Sequence, residues 1–292
     1  MYVGFSAGSA TDIVARVVAQ HLSERLGQSI IVENKTGVGG SLAAEATAKS
    51  PPDGYTLLMV SSAIAVNPAV YPKLNFDVEK DLTPIALVGR LPTVLLVNNK
   101  FPAKSLSELL SYARSYPRKI NYGSSGVGGS THLSTEYLAT LSGTSFTHVP
   151  YRGNAQAIAA LLGGEVDMVT DTILLAAPNI QTKRVRALAI SSQTRSALAP
   201  DVPTFAEAGL RNYDGSLFFG LMGPAGMPAE IVTRLNRQVN ELFQSADLRQ
   251  RLQTAGGLDL VGGSPEVFRD TLHKEIGQWK QVVKNANVKV DD

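Results

Sequence analysis

The feature that most restricts how this chain can fold is the alternation of short apolar runs with helix-periodic ones. Strand-like runs occupy residues 2–5, 29–32, 55–60, 94–97, 146–149, 166–170 and 186–190, and helical patterns fall at 11–26, 41–49, 106–115, 131–141 and 155–162. In the first helical pattern Ile13, Val14, Val17, Val18, Leu22 and Leu26 share one face, and Gly27 follows where a helix would stop. Alternation at this spacing predicts right-handed βαβ units and mainly parallel sheets with helices on both faces. The chain closes with helices around 228–244 and 265–283, each with proline near the first turn, where its missing N–H costs nothing.

The 292 residues, 44% of them hydrophobic, suffice for one large domain or two smaller ones. No internal repeat or low-complexity linker stands out. Residues 98–102 and 220–228 are rich in proline or glycine and read as hinges between lobes. That reading makes the first lobe discontinuous, residues 1–98 plus 224–292, with 99–223 forming the second.

Composition removes several function classes. The formal charge is only +2, and the short basic runs at 183–186 and 280–284 read as solvated surface, so no nucleic-acid partner is expected. There is no cysteine, which removes thiol nucleophiles, disulfides, iron–sulfur clusters and cysteine zinc sites. His21, His132, His148 and His273 show no metal-binding spacing, and His21 and His273 read as surface or boundary residues. No Gly-x-Ser-x-Gly pentapeptide marks a serine hydrolase. No catalytic residue, metal or cofactor is therefore expected. No apolar run reaches the roughly 20 residues that span a bilayer, and no secretion signal precedes the first strand.

Two loops invite a ligand. Phe5-Ser6-Ala7-Gly8-Ser9-Ala10-Thr11-Asp12 joins a strand to an amphipathic helix, which exposes N–H groups at the positive end of a helix dipole. It reads equally as a plain βα connection, and Asp12 as a first-turn acid complementing that dipole. Tyr122-Gly123-Ser124-Ser125-Gly126-Val127-Gly128-Gly129-Ser130-Thr131-His132 repeats the arrangement with four hydroxyls, but matches neither a P-loop nor a dinucleotide fingerprint. One such loop in each lobe is what a cleft gripping an anion from both sides requires. A third Gly-rich turn, Gly37-Val38-Gly39-Gly40-Ser41, reads as a tight surface turn. Ser61, Ser62 and Ala63 follow a strand at its carboxyl end, where parallel sheets place ligand loops. Asp171 also follows a strand, and reads either as a ligand contact or as a helix cap.

Taken in order, Phe5-Ser-Ala-Gly-Ser-Ala-Thr-Asp12, Val32-Glu-Asn34, Gly37-Val-Gly-Gly40, Pro52-Asp-Gly-Tyr-Thr-Leu57, Gly126-Val-Gly-Gly-Ser-Thr-His-Leu133, His148-Val-Pro-Tyr-Arg-Gly153 and Gly164-Glu-Val-Asp167 resemble the Bug-type (TctC-like) receptors of tripartite tricarboxylate transporters. The resemblance runs along essentially the whole chain. It implies a type II periplasmic-binding-protein fold, two α/β lobes closing on a ligand in the cleft between them. The implied function is capture of a small carboxylate in the periplasm by a monomer, and its delivery to membrane permease subunits. A ligand sensor docking on a signalling partner, or an enzyme on the same fold, are the rivals. Carried over by position, the contacts are Phe5, Ala7, Gly8 and Ser9 with Ser61, Ser62 and Ala63 in the first lobe. In the second they are Ser124, Ser125, Gly126, Gly128, Ser130 and Thr131, with Tyr151 and Asp171 nearby. The family commonly has Gly-Gly ahead of the first-loop helix where this chain has Gly8-Ser9, so a hydroxyl intrudes there.

Overall fold

A computed structural model describes residues 1–71, 73–250, 252–253, 257–286 and 288. Its elements in chain order are β1 (Tyr2–Val3), α1 (Ala10–Leu26), β2 (Glu33–Asn34), α2 (Ser41–Ala48), β3 (Leu58–Ser61), α3 (Ala63–Val70), β4 (Leu82–Leu91) and β5 (Thr93–Asn98). There follow α4 (Leu106–Ser115), β6 (Asn121–Ser124), α5 (Ser130–Ser142), β7 (Thr147–Pro150), α6 (Asn154–Gly163), β8 (Met168–Thr172), α7 (Ile173–Gln181) and β9 (Val185–Ile190). The chain ends with β10 (Leu217–Pro224), α8 (Ala229–Leu242), α9 (Ala246–Gln250), β11 (Asp259–Leu260) and α10 (Pro265–Asn285).

These elements form two compact units, Met1–Arg90 with Phe218–Lys280, and Leu91–Leu217 with Gln281–Asp292. The first holds a sheet in the order β11-β4-β10-β3-β1-β2, the second a sheet in the order β7-β6-β8-β5-β9. The parallel pairing that alternation predicts holds for β2-β1-β3 and β7-β6-β8. Strands next to the unit divisions pair the other way: β10 runs antiparallel to β3, and β5 antiparallel to both β8 and β9. Both sheets are therefore mixed. The sequence reading puts 94–97 in the first lobe and 217–223 in the second, whereas β5 lies in the second unit's sheet and β10 in the first's.

Local sequence explains most boundaries. Helix α1 starts at Ser9, whose hydroxyl accepts from Asp12 N–H, and stops at Gly27 in the left-handed conformation. Val94, Leu95, Leu96 and Val97 are fully buried, as expected of a strand flanked on both edges and covered on both faces. Residues 29–32 are not a strand: Ile31 is 80% exposed, and pairing begins only at Glu33. Ile13 is also exposed, so the buried face of α1 is narrower than its periodicity suggests. His21, read as a surface or boundary residue, is buried, with its Nε2 2.9 Å from Gln238 O on α8.

Candidate functional site

The two βα loops singled out in the sequence prove to be built alike, one in each unit. In the first, Gly8 has φ +81° and donates to the side chain of Asp12, Ser9 N–H bonds Ser6 O, and Ile13 N–H bonds Ser9 O. In the second, Gly128 has φ +73° and donates to the side chain of His132, Gly129 N–H bonds Gly126 O, and Leu133 N–H bonds Gly129 O. Ser9 and Gly129 even share the same backbone angles, φ −68° and ψ 159°.

The difference is the capping side chain. Ser9 Oγ closes the start of α1 by accepting from Asp12 N–H at 3.3 Å. Gly129 has no side chain to offer, and no side-chain cap closes the start of α5. The first turn of α5 thus presents backbone N–H groups at the positive end of the helix, unsatisfied by any capping oxygen. That is the chemistry of an anion seat.

The rest of the second loop is held by side chains from its own unit. Ser124 is fully buried, its Oγ 2.6 Å from His148 Nε2 and accepting from Gly126 N–H at 3.1 Å. Ser125 N–H donates to Thr131 Oγ1 at 3.0 Å, and the two hydroxyls also lie 3.0 Å apart. Ser130 opens α5. Tyr151 is half-buried beside the base of the loop, its N–H bonded to Ser124 O. Asp171 does not face the loop directly: it is fully buried, and reaches Thr131 only through Asn154. The second-unit candidates therefore converge on one loop, with Asp171 beneath it.

A stacked histidine pair underlies this loop. His132 and His148 lie 3.9 Å apart at 7° between planes, with Tyr122 stacked on His148 and donating to Glu136. Because His132 Nδ1 accepts from Gly128 N–H, the neutral ring carries its proton on Nε2. Burial, reinforced by the neighbouring His148, pulls the pKa of His132 down to about 3, and burial alone pulls His148 down to about 4. Both folded values lie below the unfolded value near 6.5, so their contribution to stability is complete above pH 6.5 and is lost as pH falls toward 4 and below. For His132 the loss approaches about 1.4 kcal/mol per pH unit in that window. Asp171 and Glu136, whose pKa values burial raises, act the other way in the same range, so the sign is read by comparison: on going from pH 7 to pH 4.5 the melting temperature of His132→Asn, whose side-chain oxygen can still accept from Gly128, should fall less, or rise more, than that of the parent. An unchanged slope in that variant would remove His132 as the source.

In the first unit Asp12 is committed to structure. Its carboxylate accepts from Gly8 N–H, from Arg16 Nε at 2.9 Å and from Asn34 Nδ2 at 2.9 Å. Burial opposes its ionisation, but these hydrogen bonds outweigh burial and hold its pKa below the usual carboxylate range. Asn34 also donates to Phe5 O, so one amide fixes both ends of the 5–12 loop. Phe5, Ser61 and Ala63 line one small pocket with Gly4 and Gly40, while Ala7 and Gly8 are exposed. Ser62 is buried, its hydroxyl accepting from Phe218 N–H at 2.6 Å. Residues from Ala63 onward form α3, a helix and not the loop that the sequence suggests.

The sequence reading missed Asn34 and Asn154 as the residues that fix the two loops. It also treated 37–41 as a surface turn. That turn buttresses the first loop instead: Asn67 bonds Gly39 O and Ser41 Oγ, and a Cβ on Gly40 would stand 3.3 Å from the Phe5 ring. Shape alone would direct attention elsewhere. Larger grooves lie within each unit, about 570 Å³ beside Ile31 and Tyr55 and about 620 Å³ beside Glu136 and His148, and neither includes a residue of the 124–131 loop.

Residues 14–288 match the model of the tripartite tricarboxylate transporter family receptor. The protein BugT of Bordetella pertussis is 35% identical over 292 residues, 99% of this chain and 89% of that protein. Among solved structures, R. palustris Rpa4515 with adipate is 36% identical with a TM-score of 0.82, over 99% of this chain and 97% of that one. MatC (Rpa3494) from Rhodopseudomonas palustris with bound malate is also 36% identical, with a TM-score of 0.76 and 97% of each chain covered. Two mixed sheets flanked by helices are thus the architecture of periplasmic binding proteins, and the chain belongs to the tripartite tricarboxylate transporter receptor family.

Proposed function

We propose that this protein captures a small carboxylate, without chemical turnover, and delivers it to the membrane permease of a tripartite tricarboxylate transporter. The observation that carries the reading is the uncapped start of α5 at Gly129, beside the hydroxyls of Ser125, Ser130 and Thr131. A carboxylate oxygen there takes the place of a capping side chain. Hydrogen bonds to a charged group contribute about 1.5–3 kcal/mol each, so a few of them supply much of the roughly 8 kcal/mol of a micromolar receptor before ordering costs. Adipate and malate, the ligands of the two similar structures, set the size of ligand to expect, a short-chain di-acid. Phe5, Ala7, Gly8, Ser9, Ser61, Ser62 and Ala63 of the first unit, and Tyr151 of the second, are proposed as further contacts from family resemblance.

The periplasm is the proposed location and a monomer the proposed state, both resting on the family's role as a transporter receptor. No helix among the described residues is long and apolar enough to cross a membrane. The test is mass spectrometry of small molecules released from the denatured protein, followed by thermal shift with adipate, malate and a panel of aromatic acids. A ligand at 100 times its Kd should add about 2.7 kcal/mol, which is a few degrees for a protein of this size. Stabilisation by neutral or cationic compounds and by no acid would overturn the carboxylate reading.

A further inference from the structure

Beneath the second loop lies a carboxyl group with no countercharge among the described residues. Asp171 is fully buried on β8, and its Oδ1 accepts from Asn154 Nδ2 at 2.6 Å and from Thr172 N–H at 2.7 Å. Its Oδ2 is equally buried and has no hydrogen-bond partner among the described residues. The elements packed against β8 are β5, β6, α5, α6 and α7. Of these, β5, α6 and α7 carry no titratable side chain, β6 carries Tyr122, and α5 carries His132, Glu136 and Tyr137. None of these groups is a cation at neutral pH, because burial and His148 hold His132 uncharged. Burial accordingly lifts the pKa of Asp171 to about 6, against the lowering effect of its two hydrogen bonds.

The same residue is wired to the anion seat. Asn154 directs its Nδ2 to Asp171 and its Oδ1 to Thr131 Oγ1 at 3.5 Å, and Thr131 Oγ1 accepts from Ser125 N–H. We propose that capture of a carboxylate on the 124–131 loop is accompanied by uptake of one proton from solvent onto the unpartnered Oδ2 of Asp171. Asn154 then joins the occupied seat to a neutral acid, not to a second buried anion. This rests on the carboxylate reading of that seat. A negative charge arriving nearby raises the pKa of a buried carboxyl, because the two like charges repel in a medium that screens them weakly. Linkage fixes the sign: with the bound-state pKa above the free one, binding takes up a proton between the two values and affinity falls as pH rises. Below about pH 6 the acid is already largely protonated in the free protein and the dependence flattens.

The test is isothermal titration calorimetry with adipate and with malate at pH 6, 7 and 8, in PIPES and in imidazole, two buffers of different ionisation enthalpy. The Kd is expected to rise on the order of tenfold from pH 6 to pH 8, and the apparent enthalpy to differ between buffers by the heat of roughly half a proton or more per ligand. Asp171→Asn, which keeps an oxygen for Asn154 and Thr172 but has no charge, should bind at pH 8 at least as tightly as the parent and lose both dependences. An equal Kd at pH 6 and pH 8 with no buffer effect in the parent overturns the proposal and leaves the carboxylate reading standing. A variant that keeps the parent's pH dependence does the same. If neither acid binds the parent at any pH, the carboxylate reading fails for these ligands and the proposal goes with it.

Discussion

Replacing Ser125 by Asp is expected to weaken binding of a carboxylate by a hundredfold or more while leaving the fold intact. The substitution puts a fixed negative charge on the loop whose N–H groups are proposed to hold the ligand's own. Two like charges about 4 Å apart at an effective dielectric near 20 repel by about 4 kcal/mol, and relaxation of a half-buried side chain recovers only part of that. Ser125 is half-buried and its hydroxyl shares one hydrogen bond with Thr131 Oγ1, so stability should change little. Titration calorimetry with the ligand found by mass spectrometry, alongside a thermal melt of the empty variant, separates the two effects. An affinity within a factor of three of the parent, in a folded variant, would move the carboxylate seat away from this loop.

The largest loss of stability is expected from Gly4→Val. An ideal Cβ on Gly4 would lie 2.4 Å from Gly40 Cα and 2.9 Å from Gly40 O. These are main-chain atoms, so no rotamer change relieves the clash, and the 37–41 turn has to move off the first loop. Overpacking of this kind costs about 3 kcal/mol. Urea denaturation followed by circular dichroism should show a lower midpoint. A midpoint equal to the parent's would mean that the approach of these two backbones is looser than the structure has it.

How much of this was legible in the sequence depends on the distance over which each residue acts. The 5–12 and 124–132 loops were visible because strand, small-residue turn and helix start follow one another within a dozen residues. That the two repeat one arrangement was legible for the same reason; the residue-by-residue match of Gly8-Ser-Ala-Thr-Asp12 with Gly128-Gly-Ser-Thr-His132 was not, because only the threonine and the leading glycine are shared. Asn34 and Asn154 were invisible in their roles, since their partners lie as far as 29 residues away and an asparagine has no local pattern that reveals which backbone it will hold.

Local breakers misled in the other direction. Helix α3, which contains Pro68, reads as a loop and β10, with Gly220 and Gly223, as part of a hinge, while β4 with Pro84 and α7 with Pro178 do not stand out as a strand and a helix. In β10 the glycine answers a demand from elsewhere in the fold: a Cβ at Gly220 would stand 2.3 Å from the ring of Phe268 on α10. A residue chosen for a neighbour far along the chain cannot be told from one chosen to bend it.

The missing oxygen at Gly129 also bears on local folding. Ser9 supplies from within the chain the acceptor that α5 lacks, so a carboxylate bound as proposed would stand in for the capping residue at the start of that helix. Glycine at such a position costs only a few tenths of a kcal/mol relative to serine, so the empty protein tolerates the gap easily. Occupancy should then be written in the first turn of α5 as slowed hydrogen exchange, and more strongly there than in the matching turn of α1, which Ser9 already caps in the empty protein.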